Sequence, residues 1–299
     1  MIELVLCTLI WGGSFIAQKL GAGHFGPFAL NAFRDLLAGA VLCGVLMCRD
    51  RRAFRTGWNR ATLLGGALSG VFVCAAELAQ QLGVERTTPG VAAFLTTNYV
   101  LLVPVFALFL RRRAGLGVWG GVALAMGGTY LICLGSGEGR LAIGPGEAWT
   151  LLCAALFALQ ILVVDRYVGM CDLLRFSAVQ VAVAGLIDLP FVLLPGEMTR
   201  LSRDGFVQGL PALLYLGILT GALAYVLQNR GQAKVPAASA AIVLSLEGVF
   251  AALFGWLVLG DALSVRQLVG CALILSAVVF SQLVHPSCRK VDRGVISAF

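Results

Sequence analysis

The sequence predicts an all-α polytopic membrane protein, with ten transmembrane helices built as two inverted five-helix repeats around a central cavity. Three observations carry this. Of 299 residues, 59% are hydrophobic and only 12% charged, about half the charged share of an ordinary soluble domain. The chain holds ten apolar runs of about 18 residues or more, each long enough to cross a bilayer. And its two halves, each with an odd number of spans, match one another, so the second half enters the membrane from the opposite side.

The ten expected spans are Leu4–Leu20, Pro27–Cys48, Ala61–Leu82, Pro89–Leu110, Leu116–Leu134, Glu147–Val164, Leu173–Leu194, Gly209–Leu227, Val235–Leu259 and Ser264–Leu283. The 37 glycines suit close helix approach. Short connections leave no room for a soluble domain. The expected division is a first repeat over 1–134, a glycine-rich linker over 135–146, a second repeat over 147–285 and a cytoplasmic tail over 286–299. The first apolar run lacks a basic leader and a small-residue cleavage site, so it reads as a spanning helix and not a removed signal.

Basic residues set the orientation. With the N-terminus inside, fifteen Lys and Arg fall on cytoplasmic segments, among them Arg49–Arg60 and the Arg111–Arg113 cluster, against six outside. That bias places both termini in the cytoplasm of a cell whose inner membrane the chain crosses repeatedly. The net charge of +7 is therefore a topology signal, and nucleic acid is not an expected partner. Small solute and lipid are the expected partners, and a monomer is the expected state.

The repeat is traced by spacing. At an offset of 147, Gln81 pairs with Gln228, Pro89 with Pro236, Ala93 with Ala240 and Asn98 with Ser245. At 149, Gly121 pairs with Gly270, and at 146 Ser14 pairs with Gln160. Polar positions inside the spans then nominate a cavity. Glu77, Gln80 and Gln81 share one face of the third helix by their i, i+3, i+4 spacing. Opposite, the eighth helix offers Gly217, Gly221, Ala224 and Gln228, with Tyr225 alongside. The other reading of the glutamines is that they lie at the membrane–water boundary. Trp11, Ser14 and Gln18 form a comparable set on the first helix. Thr96, Thr97, Asn98 and Tyr99 are too dense a polar run for a lipid-facing surface, and Pro104 permits a kink. Arg34 reads as a structural cation, paired with a backbone carbonyl, with a neighbour of Asp35 or with Asp188.

The chain lacks the signatures of an enzyme. It has no Walker-type phosphate loop, no H-E-x-x-H and no plausible Ser–His pair. Its nine cysteines form no C-x-x-C pair and have no zinc spacing. His24 and His285 sit at helix ends. No cofactor or metal is expected. Without a nucleotide-binding module, transport is downhill or driven by an ion gradient.

The stretch SLEGVFAALFGWLVLGD (Ser245–Asp261) in the ninth helix resembles the closing half of an EamA repeat, of the drug/metabolite transporter superfamily. LIWGGSFIAQK (Leu9–Lys19), FRDLLAGA from Phe33, and TTPGVAAFLTTNYVLLVPVFALFLRRR (Thr87–Arg113) carry the likeness through the first half. The resemblance implies a ten-helix carrier whose first, third, fourth, sixth, eighth and ninth helices wall a central cavity, and whose substrates are amino acids, related metabolites or nucleotide sugars. Two positions depart from the family pattern. Gly248 stands where a proline often follows the glutamate, which predicts a straighter ninth helix, and Asp35 stands where an apolar residue is usual.

The expected function is export of amino acids or similar metabolites by alternating access, with Trp11, Ser14, Glu77, Asn98, Tyr99, Gln160, Tyr225 and Ser245 as substrate-binding residues. Glu77 or Glu247 would hold an amino group or carry a proton. A sugar-phosphate or nucleotide-sugar carrier ranks lower, because only Arg34 offers a buried cation for phosphate, and a passive pore ranks lower because the polar positions cluster instead of forming a continuous lining. Glu247 aligns with Val100. It lies two residues from Ser245, about 200° around a helix, so the expectation is that Ser245 lines the cavity and Glu247 clasps a neighbouring helix.

Overall fold

The computed structural model describes residues 1–49, 51–111, 115–134, 144–260 and 264–284. Most of the expected linker (135–143) and the whole tail (286–299) lie outside these, as do Arg112, Arg113, Arg140, His285 and Cys288. The described residues form helices throughout. Eight are long and apolar enough to span a bilayer: the first (Ile2–Ala22), second (Pro27–Arg49), third (Arg60–Arg86), fourth (Pro89–Phe109), sixth (Pro145–Met170), seventh (Leu173–Leu193), eighth (Arg203–Gln232) and ninth (Ala237–Val258). The fifth (Leu116–Leu134) and tenth (Val265–Val284) complete the ten.

Local chemistry sets the helix ends. Asn59, Thr88, Asp172 and Ser202 cap the third, fourth, seventh and eighth helices, each accepting from a backbone N–H three residues on. Pro89 and Pro145 occupy first-turn positions where no N–H is needed. Lys19, closing the first helix, donates to the carbonyls of Val84, Glu85 and Thr87 at 2.8, 3.3 and 3.2 Å, which serves the open C-terminal end of the third.

The packing follows the inverted repeat. The third helix lies against the sixth and seventh, and correspondingly the eighth lies against the first and second. The fourth packs on the sixth as the ninth packs on the first, while fifth–tenth, second–seventh and fourth–ninth contacts map onto themselves. Shifting the helix numbers by five thus returns these main contacts, as a two-fold relation between halves requires. The largest apolar core joins Tyr99, Val100 and Val103 to Ile161, Ile242 to Leu244, and Ile274. Large apolar side chains such as Leu63, Leu64, Leu186, Leu223, Leu268 and Val279 point outward, where acyl chains would cover them.

Glycine fixes the closest crossings. A Cβ on Gly12 would meet the Phe250 Cβ at 2.5 Å, and one on Gly70 would meet the Gln180 carbonyl oxygen at 2.4 Å. Gly70→Ala should therefore push the third helix off the seventh and cost roughly 1–3 kcal/mol. A lowered melting temperature in detergent would show it; an unchanged one would mean the crossing can open freely.

The fourth and ninth helices are both interrupted near their middles. The fourth breaks at Thr97 and Asn98, between Pro89–Thr96 and Tyr99–Phe109. The ninth breaks at Ser245, between Ala237–Leu244 and Leu246–Phe254. The ladder tightens to i, i+3 bonds at both places, Leu101 N to Asn98 O and Gly248 N to Ser245 O. Gly248 thus does not keep the ninth helix straight. The break needs no proline, because the Ser245 hydroxyl donates to the Ile242 carbonyl and the Thr97 hydroxyl to the Phe94 carbonyl, so side chains replace the lost backbone partners. The fourth helix likewise breaks more than a turn before Pro104. The two breaks face each other: a Cβ on Gly248 would sit 3.8 Å from the Thr97 methyl.

Candidate functional site

Next to these breaks, between the two halves, lies a cleft of about 440 Å³, its open side counted. Its walls come from the first, second, third, fourth, sixth, eighth and ninth helices. Trp11, Ser14, Glu77, Tyr99, Gln160 and Tyr225 line it, together with Gln18, Arg34, Gln80, Phe157, Ile161, Thr220, Gln228, Leu244 and Glu247. Of the eight residues expected from the sequence, six meet here.

Asn98 and Ser245 do not line the cleft, and Glu247 does. The reason is local. Asn98 spends its amide on the carbonyls of Phe94 and Leu95 at 3.3 and 2.9 Å, and Ser245 spends its hydroxyl on Ile242. Both side chains hold the helix breaks together. Their neighbours Tyr99 and Glu247 face inward in their place.

The polar groups of the cleft are arranged as two crossed pairs. The Tyr225 hydroxyl donates to Glu77 Oε1 at 2.7 Å, and the Tyr99 hydroxyl donates to Glu247 Oε2 at 3.2 Å. Each pair joins residues 148 positions apart, close to the offset of the repeat. A contact between a residue and its near-equivalent in an inverted repeat must lie near the pseudo-two-fold axis, so both pairs sit near that axis. The acid comes from the first half in one pair and from the second half in the other.

Amide bonds flank the pairs in the same two-fold fashion. Gln18 donates to Gln80 Oε1 at 3.1 Å, first helix to third. Gln160 and Gln228 exchange bonds at 3.3 and 3.1 Å, sixth helix to eighth. The glutamines at 80 and 228 therefore face the cleft and not the membrane boundary, while Gln81 reaches the Gln18 carbonyl. Trp11 packs edge-on against Tyr225, ring centres 5.4 Å apart, and its indole N–H donates to the Thr220 carbonyl at 3.4 Å. That carbonyl belongs to a π-helical stretch, Tyr215–Ala224, inside the eighth helix. The wider turn leaves carbonyls off the normal ladder and open to such donors.

Arg34 is the one guanidinium among the lining residues, and it forms an ion pair with Glu77. Its Nε lies 3.8 Å from Asp35. The partner of Arg34 is thus a cleft residue and not Asp188, which takes a hydrogen bond from the Cys74 thiol at 3.4 Å. With Phe157, Ile161 and Leu244 as an apolar wall, the cleft offers acids, one guanidinium, amides and aromatic faces at bilayer depth. Such a surface suits a small amphoteric solute. Thr220 and Phe157 had no distinguishing sequence signal. Glu247 had one: its spacing from Tyr99 equals that of Glu77 from Tyr225.

Comparison with known proteins agrees with this architecture. A solved structure, titled only as the crystal structure of a protein, superposes with a TM-score of 0.75 at 17% identity, covering 95% of this chain and 96% of that one, a likeness of fold. An uncharacterised transporter of Archaeoglobus fulgidus is 28% identical over 286 residues, 94% of this chain and 84% of its own length. A chloroplastic WAT1-related protein of Arabidopsis thaliana is 28% identical, spanning 92% of this chain and 67% of its own. A probable terminal-alkyne amino-acid exporter of Streptantibioticus cattleyicolor is 25% identical, spanning 92% and 91%. The pattern of the EamA-like transporter family matches residues 1–134 and 144–283, and the chain belongs to that family.

Proposed function

We propose that this protein is a secondary transporter that exports amino acids or related small metabolites by alternating access. The carrying observation is the cleft itself: two acids, one guanidinium and four aromatic side chains gathered beside paired helix breaks at the interface of inverted halves. A zwitterion needs an anionic partner for its ammonium, a cation for its carboxylate and an apolar face for its side chain. Glu77 and Glu247, Arg34, and Trp11 with Phe157 supply these in turn. The exporter of Streptantibioticus cattleyicolor, similar to this chain along most of its length, supports the substrate class. The reading keeps 1–134 and 147–285 as the moving halves, 135–146 as their linker and 286–299 as a tail. It also keeps both termini in the cytoplasm of an inner membrane and a monomeric carrier, with no enzymatic step.

A phosphate-bearing substrate fits less well. The guanidinium of Arg34 is engaged by Glu77, and Lys19 donates to the backbone carbonyls that end the third helix. The direct test is reconstitution into liposomes with a panel of labelled amino acids. Saturable flux, accelerated by unlabelled substrate on the far side, is the expected result. Linear, unsaturable flux would identify a pore, and no flux across a broad panel would sink the reading.

A further inference from the structure

We propose that Asp35 and Glu77 form a proton-sharing carboxyl pair, which makes the wall of the cleft a proton-binding site. Asp35 follows Arg34 on the second helix, its Oδ1 3.8 Å from the Arg34 Nε. It is fully buried in the second helix, and neither of its carboxyl oxygens has a hydrogen-bond donor. Asn31, one turn earlier on the same helix, is also fully buried with neither side-chain atom partnered. Asp35 and Glu77 both lie against the Arg34 guanidinium, Asp35 through that contact and Glu77, on the third helix, in an ion pair with it. Two carboxylates at such range, away from water, cannot both be ionised, and one proton held between them removes the conflict.

A charge count points the same way. The groups facing this pair are Arg34 on the same helix, Cys74 on the third, Asp188 on the seventh and Tyr225 on the eighth, with Glu197 beyond Asp188 and bound to the Ala29 N–H at 2.9 Å. The cation of this set is Arg34. With Glu77 ionised against Arg34, an ionised Asp35 would leave a net negative charge inside the membrane, which is costly. A protonated Asp35, its O–H donated to Glu77, leaves the trio neutral.

Position connects this proton to the cleft. Arg34 and Glu77 line it, whereas Asp35 lies behind them. Resting on the reading of the cleft as a substrate site, an ammonium group that docks on Glu77 replaces the proton. The Asp35 O–H bond breaks, H⁺ leaves to the open side, and one positive charge has entered for the one that left. When the ammonium departs on the far side, a proton returns to the pair from that side. The cycle is an exchange of proton for cationic or zwitterionic amine.

The site can be tested without a substrate. Infrared spectra of the purified protein in lipid nanodiscs at neutral pH should show a protonated-carboxyl band that shifts in heavy water. Asp35→Asn should remove a component of the band that Glu247→Gln and Asp188→Asn each leave in place. No such band in the wild-type protein, or a band that Asp35→Asn leaves unchanged, overturns the proposal. Should the asparagine variant fail to fold, Asp35→Ala serves the same reading, with the residue found at the 147-offset counterpart Ala182. Liposomes carrying a pH dye and the amino-acid panel then separate the two claims. Flux with no response to a pH gradient refutes coupling and leaves the transporter reading intact. A band component lost in Asp35→Asn together with no flux refutes the transporter reading and leaves the proton site.

Discussion

Arg34→Met is expected to lower stability by about 3–5 kcal/mol, the usual cost of removing one partner from a buried ion pair. Methionine keeps the length and the apolar stem of the arginine, so packing is little changed. What is lost is the cation that faces Glu77 and Asp35, and the one negative charge this carboxyl pair carries is then left without compensation in the membrane interior. One further result would mark the cause as charge: adding Glu77→Gln to Arg34→Met should recover most of the loss. Arg86→Met makes a suitable control, since that side chain is exposed and bonds only the Leu82 carbonyl of its own helix; its effect should stay within about 0.5 kcal/mol. Unfolding in detergent measures all four. Equal losses in the single and double variants would refute the account.

Glu247→Gln should have the second largest consequence, and in the opposite quantity. The amide oxygen of glutamine can still accept the Tyr99 hydroxyl, so the contact between the fourth and ninth helices survives and the melting temperature should change little. The carboxyl group facing the cleft, which can meet an ammonium as an anion, does not survive. A hydrogen bond to a charged group contributes about 1.5–3 kcal/mol, so transport of ammonium-bearing solutes should fall by roughly ten- to a hundredfold. Tyr99→Phe, which removes the donor and keeps the acid, should have a smaller effect on flux. Full flux in a well-folded Glu247→Gln protein would return this residue to the role of a clasp between helices.

Much of the fold was legible because membrane crossing leaves a coarse signal. Ten long apolar runs survive errors of several residues at their ends, and the observed helices extend most of the expected spans without changing their number. The helix breaks were less legible. Pro104 and Gly248 are conspicuous in the sequence, yet the interruptions fall at Thr97–Asn98 and Ser245. What decides them is whether a hydroxyl or amide can reach back to a freed carbonyl, and that depends on three-dimensional fit. The site was legible to within one residue. The offset of 147 aligns Asn98 with Ser245 correctly as equivalent positions, both being break residues. The inward-facing contacts run at 148, and a single step turns a side chain by about 100°. On the fourth and ninth helices spacing therefore located the right turn, but Asn98 and Ser245 hold the breaks while Tyr99 and Glu247 face the cleft. Arg34 was legible as a cation held in an ion pair, but its partner Glu77 was not, because it reaches Arg34 from another helix.

The crossed acid–tyrosine pairs bear on direction. In a carrier made of inverted halves, changing access amounts to the halves exchanging shapes. If the halves were chemically alike, the inward-open and outward-open forms would be mirror partners of equal energy, and the empty carrier would divide its time evenly. The tyrosines and glutamates nearly satisfy that symmetry by trading places between halves. The second helix does not: at the 147 offset Arg34 and Asp35 correspond to Val181 and Ala182 in the seventh, neither of which can carry charge. Under the proposed alternating access, this one charged turn of the second helix would give the two open forms of the empty carrier unequal energies.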